Sequence, residues 1–226
     1  MFNNLKSKDF FDPETIEKRP VHVVGVGAVG GSICELLCRL GLPELNIWDM
    51  DIVSSHNLGN QIYRTKDINA LKENAITDIL KDINPDIKVN AHGKVDTDSE
   101  IAGYIFLCID NIDVRRELCK KWQYNPDILF ITDGRMGLTE GTIYAADWLS
   151  YIEQVNFIKS MNYSHEEAMA ATPRSACGLT YSLVCTPRML ASLMVANFIR
   201  FINTNEYNKF MQIDAYNAFI DAYKAK

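Results

Sequence analysis

The stretch "VHVVGVGAVGG", residues 21–31, constrains the fold more than any other part of the chain. A short β-branched run leads directly into glycines at positions 25, 27 and 30, in G-x-G-x-x-G order. The run reads as a buried strand. The residues that follow, "AVGGSICELLCRLG", carry apolar side chains at helical spacing and end on Gly41, where a C-cap glycine belongs. Strand, glycine turn and helix in immediate succession give the motif a context that its spacing alone lacks. Gly25 permits the tight turn, Gly27 lets backbone amides approach a phosphate, and Gly30 lets the helix pack closely on the strand. The helix N-terminus then offers partial positive charge to an anion.

The alternation continues downstream. "ELNIWDM" is a second strand, and Asp49 ends it 19 residues after Gly30, where a carboxylate can accept from ribose hydroxyls. "NALKENAITDILKDINP" predicts an amphipathic helix stopped by Pro85. Strands "IKVNAHGK" and "GYIFLCI", a helix "DVRRELCKKW" and a strand "DILFITDG" follow, then "GTIYAAD" as an antiparallel strand. "SHEEAMAA" opens with Ser164 and Glu167 at capping-box spacing. "TPRMLASLMVANFIRFI" is a nearly all-apolar helix, buried against the sheet or against a second subunit. The pattern predicts an α/β fold: a Rossmann-like, mostly parallel sheet with helices on both faces and a C-terminal antiparallel extension. Residues 1–19 form an N-terminal segment and 20–226 a single nucleotide-binding domain.

Composition narrows the partners. A formal charge of −6 without a basic stripe argues against nucleic acid. Apolar runs are short, and "MFNNLKSKDFFDPETIEKRP" has no apolar core of a signal peptide, so a cytoplasmic protein without membrane contact is expected. The six cysteines form no C-x-x-C pair, which speaks against a structural zinc site, and reduced thiols are expected.

The glycine loop and Asp49 alone allow NAD, FAD or ATP. The stretch "DMDIVSSHNLGNQ" favours a polyphosphate, because a triphosphate must be held by donors and by metal. Asn57 and Gln61 are neutral donors four apart, as on one helical face; the plain alternative is loop-to-helix capping. Lys72, early in the next helix, is a candidate phosphate contact. Asp110 ends another strand, so it points into the ligand crevice and could hold Mg²⁺. Asp113, Arg115 and Arg116 lie on the following helix and read as surface or subunit-interface ion pairs.

Together "VVGVGAVGG", "NIWDMDIVSSHNLGNQ", "LKENA", "INPDIKV" and "FLCIDNIDVRREL" resemble the ThiF/MoeB/HesA adenylyltransferases, the core of ubiquitin-activating enzymes. The resemblance covers roughly residues 20–145, and "FITDGRMGLTEGTIY" extends it, with Gly137 and Gly141 at a turn. It implies that Gly25, Gly27 and Gly30 lie under ATP and that Asp49 binds the ribose. It implies that Asn57, Gln61 and Lys72 surround the phosphates and that Asp110 sits by Mg²⁺ and the α-phosphate. The implied reaction joins the C-terminal carboxylate of a small ubiquitin-like or sulfur-carrier protein, or of a peptide, to AMP, and the implied assembly is a homodimer.

One departure stands out. The family pattern Asn-Leu-x-Arg-Gln is here "NLGNQ", with Asn60 in the arginine's place. Arg64, four residues on, would share a helical face with Asn60 and substitute for the missing charge; otherwise the chain binds nucleotide and adenylates poorly. Among the thiols, Cys177 near Arg174 is the candidate for acyl or sulfur chemistry. Cys185 reads as a packed thiol, Cys34 and Cys38 as one apolar stripe, and Cys108 as part of a buried strand.

Overall fold

The computed structural model describes residues 2–16, 19–171 and 181–224. The first half alternates as expected: β1 (Val21–Val24), α1 (Ala28–Arg39), β2 (Glu44–Trp48), α2 (Lys72–Ile83), β3 (Lys88–Ala91), β4 (Gly103–Leu107), α3 (Ile112–Trp122) and β5 (Ile128–Met136). The second half adds β6 (Glu140–Asp147), α4 (Tyr151–Lys159), α5 (His165–Ala170), α6 (Cys185–Thr204), β7 (Asn208–Asp214) and β8 (Phe219–Lys224). Local chemistry sets the ends. Gly41 follows α1 at φ +87°, a conformation that lets its amide reach back to the Cys38 carbonyl. α2 stops at Ile83, ahead of Pro85. Asn111 Oδ1 accepts from the amides of Asp113 and Val114 and so starts α3, and the Ser164–Glu167 capping box starts α5.

One sheet holds all eight strands in the order β3-β2-β1-β4-β5-β6-β7-β8. The pairs from β3 to β5 are parallel and those from β5 to β8 antiparallel. Every residue of β1 and β4 is buried, as a parallel strand covered on both faces requires. α1, α2 and α6 cover one face, where Val23, Ile33, Ile76, Phe106, Met194 and Phe198 share a core. Phe11 and Ile16, ahead of β1, pack into it. α3 and α4 cover the other face through Leu118, Trp122 and Phe157.

α6 lies on the sheet. A Cβ at Gly134 would stand 2.7 Å from Met194 Sδ, and one at Gly141 would stand 2.9 Å from Leu190 Cδ1. These bare strand positions are what let an apolar helix approach so closely. Gly141 therefore belongs to β6 and to helix packing, and only Gly137 of the expected pair sits in the turn.

On the α3 face, His22 of β1 is buried and accepts at Nδ1 from Trp48 Nε1 (3.1 Å), which leaves its proton on Nε2. Burial, then the neighbouring His92, pushes the His22 pKa down to about 4. Below the ordinary histidine value the unfolded chain binds a proton that the folded one refuses, so stability falls with pH across this window. The loss from His22 should approach about 3 kcal/mol between pH 6.5 and 4. His22→Gln should flatten that part of the acid-unfolding curve followed by circular dichroism. Parallel curves for the two proteins would refute the assignment.

Candidate active site

The strand order reverses between β1 and β4, and ligands of such sheets bind outside the carboxyl ends of the strands at that point. Val24 pairs with Trp48 on one side and with Leu107 on the other. The glycine loop, Asp49 and Asp110 thus leave the sheet along one edge.

The three glycines do different work. Gly25 has φ +89°, and a Cβ there would stand 2.9 Å from the Cys108 carbonyl and the Ile109 nitrogen. The loop presses against the end of β4 at that point. Gly30 faces the loop itself: its Cβ would fall 1.8 Å from the Gly25 oxygen. At Gly27, a Cβ would meet nothing within 4 Å. The protein makes no steric demand there, and the open space lies over the first turn of α1. That helix has no side-chain cap, so its leading amides are available to an anion. Tyr63 Oη donates to the Val26 carbonyl (2.7 Å) and pins the loop from beneath.

Asp49 and Lys72 meet beside the loop. Asp49 Oδ2 accepts from the Val26 amide and Oδ1 from the Asp51 amide, both at 2.9 Å. Burial raises the Asp49 pKa, while Lys72 and the two amides pull it back. Lys72 opens α2, and its buried Nζ lies 2.7 Å from Asp51 Oδ2 and 4.0 Å from Asp49 Oδ2. An ammonium held between carboxylates at a helix start is fixed in position. Asp51, to which the sequence reading gave no role, is what orients it.

The Gln61 backbone amide donates to the Asn57 backbone carbonyl (2.9 Å), a single helical-type bond between the two, though no regular helix runs through them. Residues 55–59 form a 3-10 turn, and Asn57 Oδ1 accepts from the Ser54 amide (2.9 Å) and hydroxyl (3.3 Å), the capping arrangement. Its amide end is left for the site. Gln61 lies beyond the turn, with Oε1 buried and without a hydrogen-bond partner. A buried acceptor left unpaired is costly unless a ligand's donor meets it, and rotation of the amide would present the donor end instead. His56 is exposed on the same turn.

Asn60 and Arg64 do not share the expected helical face. Asn60 ends the 3-10 turn outside helical geometry (φ −140°, ψ −5°) and Arg64, in an extended conformation, is the N-cap of the next one, so no helix joins them. The Arg64 guanidinium is engaged by Asp67 (2.9 and 3.1 Å) and Asp82 (2.7 Å). Placed so, it holds a loop together.

Asp110 leaves the end of β4 as an exposed carboxylate that meets no described side chain. Arg115 is not on the surface. It is buried, with Nε donating to the Ile109 carbonyl and Nη1 to Asp133 Oδ1 and the Gly134 carbonyl (3.0 Å). Arg116 does pair with Asp113. Asp133 and Arg135, within "FITDGRMGLTEGTIY", carry no sequence pattern that marks them, yet both join this buried network.

The thiols divide. Cys177 falls outside the described residues. Cys185 is exposed at the first residue of α6, not packed. Cys108 lies one residue past β4, and burial pushes its pKa up to about 12. Cys34 and Cys38 are buried in α1 as expected. Among the described residues no three His, Cys, Asp or Glu side chains gather as a metal site, and no helix is long and apolar enough to cross a membrane. A lone hard carboxylate still suits magnesium, which takes one or two carboxylates and completes its shell with phosphate oxygens and water. The uncapped helix, the open space at Gly27 and Lys72 suit a polyphosphate.

A family model described as the ThiF family matches residues 4–226. Ubiquitin-like modifier-activating enzyme 5 of Caenorhabditis briggsae is 31% identical over 121 residues, 46% of this chain and 28% of that protein. Across the related proteins of that name, this chain spans 17% to 35% of their length. The structure of E. coli MccB with ATP superposes with a TM-score of 0.73 at 16% identity, covering 93% of this chain and 64% of that one. E. coli tRNA N6-threonylcarbamoyladenosine dehydratase, TcdA, gives 0.66 at 16% identity, covering 88% and 93%. At these identities the superpositions speak to the fold.

Proposed function

The chain belongs to the ThiF family, and on that premise we propose that it is an ATP- and magnesium-dependent adenylyltransferase. Its substrate is the C-terminal carboxylate of a small ubiquitin-like or sulfur-carrier protein, or of a peptide. One observation carries the reading: the uncapped start of α1 opens onto empty space at Gly27, with Lys72 at the start of α2 beside Asp49 and Asp110 just beyond the end of β4. The relatives named as ubiquitin-like modifier-activating enzymes, and MccB solved with ATP and with MccA, support the nucleotide and the class of substrate.

The chemistry follows from charge. A carboxylate must approach the α-phosphate of a polyanion in line, so the protein's task is neutralisation and positioning. The α1 amides and Lys72 hold the phosphates, Asp49 accepts from the ribose, and Asn57 and Gln61 complete the polar shell. Magnesium held by Asp110 would neutralise further phosphate charge. The acyl oxygen bonds to the α-phosphorus, the bond to the β-phosphate oxygen breaks, and pyrophosphate leaves. Residues 20–226 act as one nucleotide-binding domain, with 1–19 as its N-terminal segment. The working assembly is a homodimer, and sedimentation as monomer alone at micromolar concentration would exclude it. ATP–pyrophosphate exchange, screened against small proteins ending in Gly-Gly and against short peptides, tests the activity.

A second reading, a nucleotide-binding protein with weak or lost adenylation, is favoured by the Arg64 geometry. With Asn60 in the arginine's place and Arg64 engaged by Asp67 and Asp82, no described guanidinium in this stretch faces the phosphates. Arg64→Ala should therefore leave exchange within about twofold of wild type while lowering stability by about 1 kcal/mol. Asn60→Arg should raise exchange. A large loss of exchange in Arg64→Ala would show that the side chain swings into the site.

A further inference from the structure

We propose that Arg115 and Asp133 are positioning residues that clamp the turn carrying Asp110, so that its carboxylate is set for magnesium-bound nucleotide. The proposal rests on the adenylyltransferase reading. Arg115 lies on α3, yet its guanidinium reaches back to the Ile109 carbonyl, one residue before Asp110. The same guanidinium meets Asp133 Oδ1 and the Gly134 carbonyl within β5. One side chain thus ties the β4–α3 turn to the neighbouring strand.

Asp133 has no solvent exposure, and its second oxygen accepts from Arg135 Nε (2.7 Å). Arg135 continues to the Ser160 carbonyl (2.7 Å) and hydroxyl (2.8 Å), just beyond α4, and its guanidinium lies 4.1 Å from the Tyr144 ring centre. The clamp is therefore anchored on elements far apart in sequence.

A buried ion pair is a poor way to gain stability, because desolvation offsets most of the attraction. Arginine's particular contribution is a planar fork that fixes several acceptors at once. Asp110 needs such help. No described residue hydrogen-bonds or ion-pairs with its side chain, so among the described residues its place is set by backbone. Arg115 holds that backbone at Ile109, and the Asn111 cap holds it on the far side (3.0 and 3.1 Å). Site carboxylates act only when held near their productive position.

The test is a double-mutant cycle on ATP affinity, measured by calorimetry with saturating magnesium and with chelator. Arg115→Met leaves Asp133 paired with Arg135, and Arg115→Lys keeps the charge while losing the fork. Arg115→Met should weaken magnesium-dependent ATP binding about tenfold and leave metal-free binding nearly unchanged. In an Asp110→Ala background it should add almost nothing. Equal losses in both backgrounds, or with and without magnesium, would show a merely structural role and overturn the proposal. Wild type that binds no ATP in either condition would instead sink the adenylyltransferase reading. A second arm needs no nucleotide: amide exchange at residues 109–112 should be faster in Arg115→Lys than in wild type. Unchanged exchange there would equally overturn the clamp.

Discussion

Gly30→Ala should unfold much of the population, whereas Gly27→Ala, three residues earlier, should fold normally and bind ATP weakly. The added methyl at position 30 would sit 1.8 Å from the Gly25 oxygen and 2.9 Å from its carbonyl carbon. Both are backbone atoms of a turn already at φ +89° and pressed on the end of β4, so neither can step aside. Ordinary overpacking costs about 1–3 kcal/mol by displacing flexible side chains. Here the loop would have to leave the strand end, and a loss of at least about 3 kcal/mol is expected, a large part of a typical domain's stability. Urea unfolding reads it directly. At position 27 the methyl meets nothing within 4 Å, and a midpoint within about 0.5 kcal/mol of wild type is expected. Its methyl would occupy the space over the α1 amides, and ATP affinity should fall about tenfold. A Gly30→Ala protein with the wild-type midpoint would mean that the loop does not pack on the strand as described.

The contrast also shows which parts of the sequence were readable. Strand, glycine turn and helix declared themselves because their reasons are local: bare backbone positions, a C-cap glycine at 41, a proline after α2. α6 declared its burial but not its partner, since a helix that is apolar nearly all round carries no stripe to show which face meets the sheet. The glycines that receive it, Gly134 and Gly141, lie far upstream in β5 and β6. Arg115 conceals its burial for a related reason. In "DVRREL" it resembles any solvated helix charge, and its partner Asp133 is 18 residues away on a strand. Arg64 failed differently. A four-residue spacing means one face only if a helix runs through it, and the 3-10 turn of residues 55–59 ends well before position 64. α4 went unread because its one strong face, Gln154 and Phe157, is shorter than a periodic signal needs.

Asp110→Ala should reduce acceptor-dependent ATP–pyrophosphate exchange at least about 100-fold, with the urea midpoint unchanged. The argument turns on what the carboxylate does in the protein alone. It is exposed, meets no described side chain, and stands next to a helix cap that belongs to Asn111, so removing it leaves no buried group unpaired. Among the described residues none hydrogen-bonds or ion-pairs with it. A loss of exchange with no loss of stability would therefore place its role in the reaction. Lys72→Ala makes the opposite comparison. Its ammonium is buried between Asp49 and Asp51, so that substitution leaves the partly buried Asp49 short of its cation and should lower stability and exchange together. If Asp110→Ala exchanged pyrophosphate as wild type does, the carboxylate would not serve the nucleotide, and the metal would have to be held elsewhere. If neither protein exchanged with any acceptor while both bound ATP, Asn60 would be the cause to test next. Asn60→Arg would then be expected to restore turnover only in the protein that keeps Asp110.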